Sequence, residues 1–304
     1  MKPLVLGTRG SDLALAQSKI VRDLLEAARP GLLVEQQIIT TTGDARSSMA
    51  IDEPTAEGAG IFTRQLEDAL QSGGIDFAVH SLKDLPVEAP AGLILAAILP
   101  RASADDILVS RHSGGVLGLP PGAVIGTSSP RRARLLINQR PDLRIAPIRG
   151  NVPTRLAKIG DNEGFDATIL AAAGLYRIGH DLSEGVIAIN GRTLFTEVLD
   201  WMLPAPGQGA IAVETRTGDR AEDLLRILHD EKTASCVEAE RLVLRHLGGG
   251  CHLALGTLAT KSKEGFLMRA VFIPDDEAPP RYAQASAVTP TDVARLVADQ
   301  LLFQ

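Results

Sequence analysis

Residues 123–136, AVIGTSSPRRARLL, repeat the grammar of residues 4–17, LVLGTRGSDLALAQ. In both, a short apolar run closes on Gly-Thr, a serine follows, and an amphipathic stretch begins. The pattern predicts a strand that ends just ahead of a helix, with Ser11 or Ser129 as the N-cap. Backbone N–H groups and the helix dipole then face whatever lies past the strand end, a place suited to carboxylate or phosphate. A second echo follows each copy: IDFAVHSL at 75–82 and FDATILAAAGL at 165–175. Repetition on this scale predicts two similar α/β domains with largely parallel sheets.

Outward from these anchors, LLVEQQII and GLILAAIL read as further strands, and DLALAQSKIVRDLLEAA and IFTRQLEDALQS as amphipathic helices. At 201–216, WMLPAPGQGAIAVETR carries Pro and Gly punctuation before another apolar run, which predicts a return of the chain to the first domain. From about 220 the texture changes to two amphipathic helices ending in three glycines, then strand-like sequence and a last helix, PTDVARLVADQLL. The expected boundaries are 1–99 with 200–218 for domain 1, 100–199 for domain 2, and 219–304 for a smaller α/β domain 3. Residues 43–60, GDARSSMAIDEPTAEGAG, lack periodicity and are expected to form a mobile loop over the cleft.

Composition narrows the classes. The chain has 304 residues and a formal net charge of -6, with 45% hydrophobic and 3% aromatic residues. General nucleic-acid binding wants a basic field and stacking platforms, so neither nucleic acid nor membrane is expected as a partner. The start, MKPLVLGTRGSD, breaks its apolar run at Gly7, which predicts a cytoplasmic chain. Cys236 and Cys251 form no CxxC pair, which excludes a cysteine zinc site. Cys236 falls among helical core positions and reads as a small buried hydrophobe. Cys251 follows three glycines, so its sulfur is either a reactive group or the incidental thiol of a glycine turn.

Within an acidic chain, residues 131–155 hold Arg131, Arg132, Arg134, Arg140, Arg144, Arg149 and Arg155. Arg134 and Arg140 read as a solvated helix face. Arg9, Arg131 and Arg132 sit at predicted helix starts, and Arg149 and Arg155 flank a turn at Gly150 and Asn151, so they can converge on one crevice. Arginine's planar fork pairs bidentately with carboxylate, which favours a polycarboxylate ligand, with phosphate as the other candidate. In HSLKDLP, Asp84 either caps a turn before Pro86 or presents a carboxylate beside Lys83 that steadies a substrate cation. His80 reads as a satisfied core histidine.

Seven segments in order, GTRGSDLALAQ, AVHSLKDLPVE, GTSSPRRARLL, IRGNVPTRL, LAAAGLYRIG, PAPGQGAIAVE and AERLVLRHLGGGC, resemble the hydroxymethylbilane synthase (porphobilinogen deaminase) family. The resemblance implies two domains like type II periplasmic binding proteins and a small C-terminal α/β domain. It implies a dipyrromethane cofactor held by thioether linkage to Cys251, and no metal. The implied reaction condenses four porphobilinogen molecules head to tail, releases ammonia at each step, and hydrolyses off hydroxymethylbilane. Asp84 matches the family's catalytic aspartate, which faces the azafulvene cation left by ammonia. Lys83, Asp84, Ser128, Ser129, Arg131 and Arg132 are implied to bind cofactor, and Arg9, Ser11, Arg149, Arg155 and Arg177 to bind substrate. The implied assembly is a monomer. The chain departs from the family pattern at Ala59, where a basic residue is usual, at SADD over 103–106, where DPRD is frequent, and at Ala254, where proline is common. A noncatalytic carboxylate-binding protein of periplasmic-binding type is the alternative.

Overall fold

A computed structural model describes residues 2–39, 63–249, 253–274 and 278–303. The expected loop at 43–60, Ala59 and Cys251 lie outside the described residues. The chain gathers into two compact units, residues 1–102 with 210–238 and residues 103–209 with 239–304.

In the first unit β1 (Leu4–Thr8) pairs in parallel with β2 (Val34–Ile38) and β3 (Phe77–Ser81). β11 (Ile211–Arg216) inserts antiparallel between β3 and β4 (Leu93–Ile98), giving the order β2-β1-β3-β11-β4. Helix α1 (Asp12–Ala28) buries Val21 and Leu25 against Leu4, Leu6, Phe77 and Val213, and α2 (Arg64–Gln71) buries Leu66 and Leu70 against Ile75 and Leu93.

The second unit repeats the scheme. β6 (Val124–Gly126) pairs in parallel with β7 (Arg144–Ala146) and β8 (Ala167–Ala171), and β5 (Asp106–Ser110) lies antiparallel to β8. β10 (Arg192–Val198) and β9 (Val186–Ile189) extend the sheet to the order β7-β6-β8-β5-β10-β9. In each sheet a parallel trio is joined by an antiparallel strand beside its third member, the periplasmic-binding type II pattern. α3 (Pro130–Gln139), α4 (Val152–Gly160) and the short α5 (Ala172–Arg177) connect the strands.

The repeat extends to single atoms. Val5 N–H donates to Asp76 Oδ2 at 2.8 Å and Asp76 N–H donates back to Val5 O at 2.8 Å. Val124 and Asp166 make the same two bonds at the same distances. The residue before each aspartate crowds the glycine of each Gly-Thr: a Cβ on Gly7 would lie 2.2 Å from Ile75 Cδ1, and one on Gly126 would lie 2.9 Å from Ile148 Cδ1 and 3.0 Å from Phe165. A side chain at either place would have to displace these neighbours.

An antiparallel sheet of β12 (Ala254–Ser262), β13 (Gly265–Ile273) and β14 (Arg281–Ala287), with α8 (Pro290–Leu302), completes the second unit. Its Ala254, Val271 and Ile273 share a core with Leu135, Leu136 and Met202, which is why this sheet groups with residues 103–209. The unit breaks also differ from the expected boundary at 218/219. Ala221 and Leu225 of α6 (Arg220–Leu225) belong to the core of the first sheet, and Val237 of α7 (Glu231–His246) packs with Leu82 and Ala212. Among the described residues no helix is long and apolar enough to cross a membrane.

Candidate functional site

The junction of β6 and α3 concentrates the second unit's charge. Ser129 caps α3, its Oγ accepting from Arg132 N, and Pro130 occupies the first turn. Arg131 and Arg132 therefore project from the first turn of a helix packed on the sheet, and both are buried, at 3% and 7% exposure. Their counter-ion is Asp106, the first residue of β5, at 0% exposure. Asp106 Oδ1 accepts from Arg132 Nε at 3.0 Å and Nη2 at 2.7 Å, while Oδ2 lies 2.7 Å from Arg131 Nη1 without hydrogen-bond alignment. Burial pushes the Asp106 carboxyl up, but the Arg132 and Arg131 guanidiniums outweigh burial and hold it well below the usual carboxylate range. Burial also pushes Arg131 down from its ordinary value. Two guanidiniums against one carboxylate leave a surplus positive charge in a dry place, and Arg131 Nε is buried with no hydrogen-bond partner among the described residues. An isolated buried charge is costly, so among the described residues this cluster has room, electrostatically, for one more anion.

The neighbouring turn adds exposed donors. Ser128 Oγ donates to Ile148 O at 3.0 Å and so joins the β6–α3 junction to residues 148–155. Asn151 caps α4 by accepting from Thr154 N at 2.9 Å, and Gly150 before it takes φ +108, open to glycine. Arg155 Nε donates to Gly150 O at 2.8 Å, and Arg149 is exposed on the same turn. Arg177, at the end of α5, donates from Nη2 to Gly209 O at 2.6 Å. Burial pushes its guanidinium down to about 10, so it stays charged at neutral pH.

In the first unit, Lys83 and Asp84 sit on a single 3-10 turn, Leu82–Asp84, directly after β3. Leu82 is buried and anchors the turn, Lys83 is half-buried, and Asp84 is exposed. Ser81 ahead of it accepts from Gln17 Nε2 of α1 at 2.9 Å. Arg9 and Ser11 occupy the β1–α1 junction, where Ser11 Oγ accepts from Ala14 N. His80 is buried and bonded to Glu214 Oε2 at 3.0 Å, the satisfied histidine its apolar surroundings indicate. Cys236 is buried at 5% exposure.

Ser128, Ser129, Arg131, Arg132, Arg149, Arg155 and Arg177 thus fall in the second unit, and Arg9, Ser11, Lys83 and Asp84 in the first. Sequence reasoning missed Asp106, Gln208 and Glu240. Gln208 Nε2 donates to Asp106 Oδ1 at 3.0 Å and to Ala104 O at 2.7 Å; Glu240, fully buried, accepts from Gly207 N at 2.8 Å and Ala259 N at 2.9 Å. An acid opening the apolar run DILVS was the available signal for Asp106. Of the family departures, Asp105 is held by Ser103 Oγ, which donates at 2.7 Å, and Ala254 opens β12 opposite Ile273.

The profile of "Porphobilinogen deaminase, dipyromethane cofactor binding domain" matches residues 4–223. The chain belongs to the porphobilinogen deaminase family. Among its relatives, the porphobilinogen deaminase of Rubrobacter xylanophilus is 44% identical over 302 residues, covering 98% of this chain and 93% of that one. The porphobilinogen deaminase of Roseiflexus sp. is 42% identical over 309 residues, covering 99% and 96%. Among solved structures, the periplasmic VFT2 domain of Bordetella pertussis BvgS aligns with a TM-score of 0.42 at 15% identity, over 74% of this chain and 84% of that one. Family membership makes the chain a transferase of tetrapyrrole biosynthesis, a hydroxymethylbilane synthase that uses a dipyrromethane cofactor. The buried surplus charge at Arg131 and Arg132 suits the carboxylates of that cofactor.

Proposed function

We propose that the reaction divides between the two units: guanidiniums of the second hold carboxylates of cofactor and substrate, and the Asp84 carboxylate of the first stabilises the reacting cation. The carrying observation is the buried Asp106–Arg131–Arg132 cluster, with two positive groups, one negative group and an unpartnered Nε. Bound dipyrromethane supplies the acceptor carbon for the first carbon–carbon bond. Arg131 and Arg132, with Ser128, Ser129 and Lys83, hold its acetate and propionate groups; Arg9, Ser11, Arg149, Arg155 and Arg177 hold those of incoming porphobilinogen. Each added unit brings two further carboxylates, which accounts for the number of guanidiniums in an acidic chain. Exposed Asp84, at the end of a short anchored turn, meets the cation that loss of ammonia leaves on porphobilinogen and accepts from pyrrole N–H groups. Cys251 carries the thioether. Porphobilinogen is the small-molecule partner, the cytoplasm the place of action, and the chain works as a monomer across three domains, the last built on β12–β14.

Porphobilinogen consumption with product trapping tests the activity, and the intact mass of denatured protein tests the attachment. A thioether survives denaturation, so the mass should exceed that of the sequence by one dipyrromethane, placed on the peptide containing GGGCHLALG. Cys251→Ala should lose both the mass and the activity, because the first bond then has no fixed acceptor. Cys236→Ala should keep both. An active, freshly purified enzyme with unmodified Cys251 overturns the assignment.

A further inference from the structure

Asp106 is the carboxylate between the two buried arginines, and Gln208 donates to it. Asp106 Oδ1 takes three donors, Arg132 Nε, Arg132 Nη2 and Gln208 Nε2, and its Oδ2 faces Arg131 Nη1. The rest of each fork is tied to backbone: Arg131 Nη1 donates to Leu203 O at 2.7 Å and Arg132 Nη1 to Ile169 O at 2.8 Å. Gln208 also donates to Ala104 O, so residues 104–106 and 208 are joined beside two of the three places where the chain passes from one unit to the other, 102/103 and 209/210. We propose that Asp106 and Gln208 are positioning residues for the reaction, holding Arg131 and Arg132 as one oriented, singly positive group toward a ligand carboxylate. The inference rests on the proposed carboxylate-binding role of these arginines.

Three features support it. A bidentate fork rewards orientation as much as charge, and Arg132 can turn only if it abandons Asp106. Arg131 Nε, buried and unpartnered among the described residues, is the donor edge left over once Asp106 and Leu203 have been served. Finally, without Asp106 two buried like charges would face each other, so the carboxylate sets the surplus at one rather than two.

The test uses full-length enzyme purified as it assembles, in the variants Gln208→Met, Asp106→Asn and Asp106→Glu. Three quantities are measured: melting temperature, the fraction of denatured protein carrying the dipyrromethane mass, and KM against kcat for porphobilinogen. Gln208→Met keeps the volume and removes the bonds that Nε2 donates to Ala104 O, Asp105 O and Asp106 Oδ1. It should melt near the parent yet raise KM by roughly tenfold, or load a smaller fraction, since small misplacements of binding groups cost about this much or more. Asp106→Asn should lose loading, and Asp106→Glu should recover part of it. Should Asp106→Asn fail to fold, Gln208→Met decides. Full loading and parental KM in Gln208→Met overturn the proposal, as does a lower melting temperature with parental KM in the folded fraction. A parent with neither the added mass nor turnover overturns the functional reading and this inference together; a loaded, active parent matched by its variants overturns the inference alone.

Discussion

The two repeated sheets share a backbone plan and differ in charge. After its third parallel strand the first unit places Asp84 on a 3-10 turn, and at the same junction the second unit places α5, which ends in Arg177. Each antiparallel fourth strand also carries a buried acid. In the first sheet Glu214 is matched by one histidine, His80; in the second Asp106 faces two arginines. One plan thus yields a unit whose buried acid has a single basic partner and a unit with surplus positive charge. The two units share the hydrogen bonds that build the sheet, Asp76 to Val5 and Asp166 to Val124, and differ in the side chains that follow the strand ends.

If this division is functional, the largest effect should come from the exposed carboxylate. Asp84→Asn is nearly isosteric and leaves buried Leu82 to anchor the turn. It should melt like the parent and lose at least about a hundredfold in kcat, because a preorganised group facing developing charge is worth ~3 kcal/mol. Turnover within a few-fold of the parent would remove Asp84 from the mechanism and break the contrast. Its counterpart, Arg177→Met, should act on binding instead, raising KM roughly tenfold with a smaller change in kcat. Burial pushes the Arg177 guanidinium down, so the fold holds this charge at a cost; Met relieves that cost and loses the bond to Gly209 O, and the two changes oppose each other in stability. A kcat loss as large as that of Asp84→Asn would erase the proposed division between chemistry and binding.

Much of this was legible in the sequence because repetition and strand-end glycines are local signals. Gly7 and Gly126 could be placed at the ends of strands, and the side chains crowding them, Ile75 in one case and Ile148 with Phe165 in the other, are tertiary neighbours. Arginines at helix starts could be found the same way. Their burial could not, since it depends on Asp106, which reaches Arg131 and Arg132 only when an antiparallel strand is laid beside β8. The candidate arginines read as one row for a ligand, whereas Arg131, Arg132, Arg155 and Arg177 are also held by protein acceptors. The placement of residues 220–238 was not legible for a similar reason. The amphipathic face of residues 220–238 shows that it packs, not on which sheet.

A stability measurement sharpens the shared part of the plan. Asp166 accepts from Val124 N, Arg111 Nη2 and His112 Nε2, whereas Asp76 accepts from Val5 N and has Arg216 at 3.5 Å. Burial pushes the Asp166 carboxyl up, but His112, the Val124 N–H and Arg111 together hold it below its ordinary value. A carboxyl depressed in the folded state stabilises above its unfolded pKa, and that contribution disappears as pH falls through the lower folded value. Asp166→Asn should therefore cost ~1–3 kcal/mol at neutral pH, more than Asp76→Asn, with the gap to the parent closing below about pH 4. Denaturant unfolding at several pH values reads both. Equal costs at neutral pH would mean that the backbone bond alone matters at these two positions.

The smallest expected effect separates stability from ligand binding at the two helix caps. Ser11 Oγ accepts from Ala14 N at 3.4 Å and Ser129 Oγ from Arg132 N at 3.5 Å, so both caps are long and should be worth the lower end of the usual range. Ser11→Ala and Ser129→Ala should each cost about 0.5–1 kcal/mol. Beyond that the variants should part. The helix begun by Ser129 carries Arg131 and Arg132 in its first turn, so fraying there releases the guanidiniums proposed to hold ligand, while α1 runs 17 residues and buries its anchors, Val21 and Leu25, further along. Ser129→Ala should accordingly lower the fraction of protein carrying the dipyrromethane mass, and Ser11→Ala should leave that fraction at the parental level and affect only KM. Identical loading in the two variants, at matched stability, would show that α3 holds its arginines through packing and Asp106 rather than through its cap.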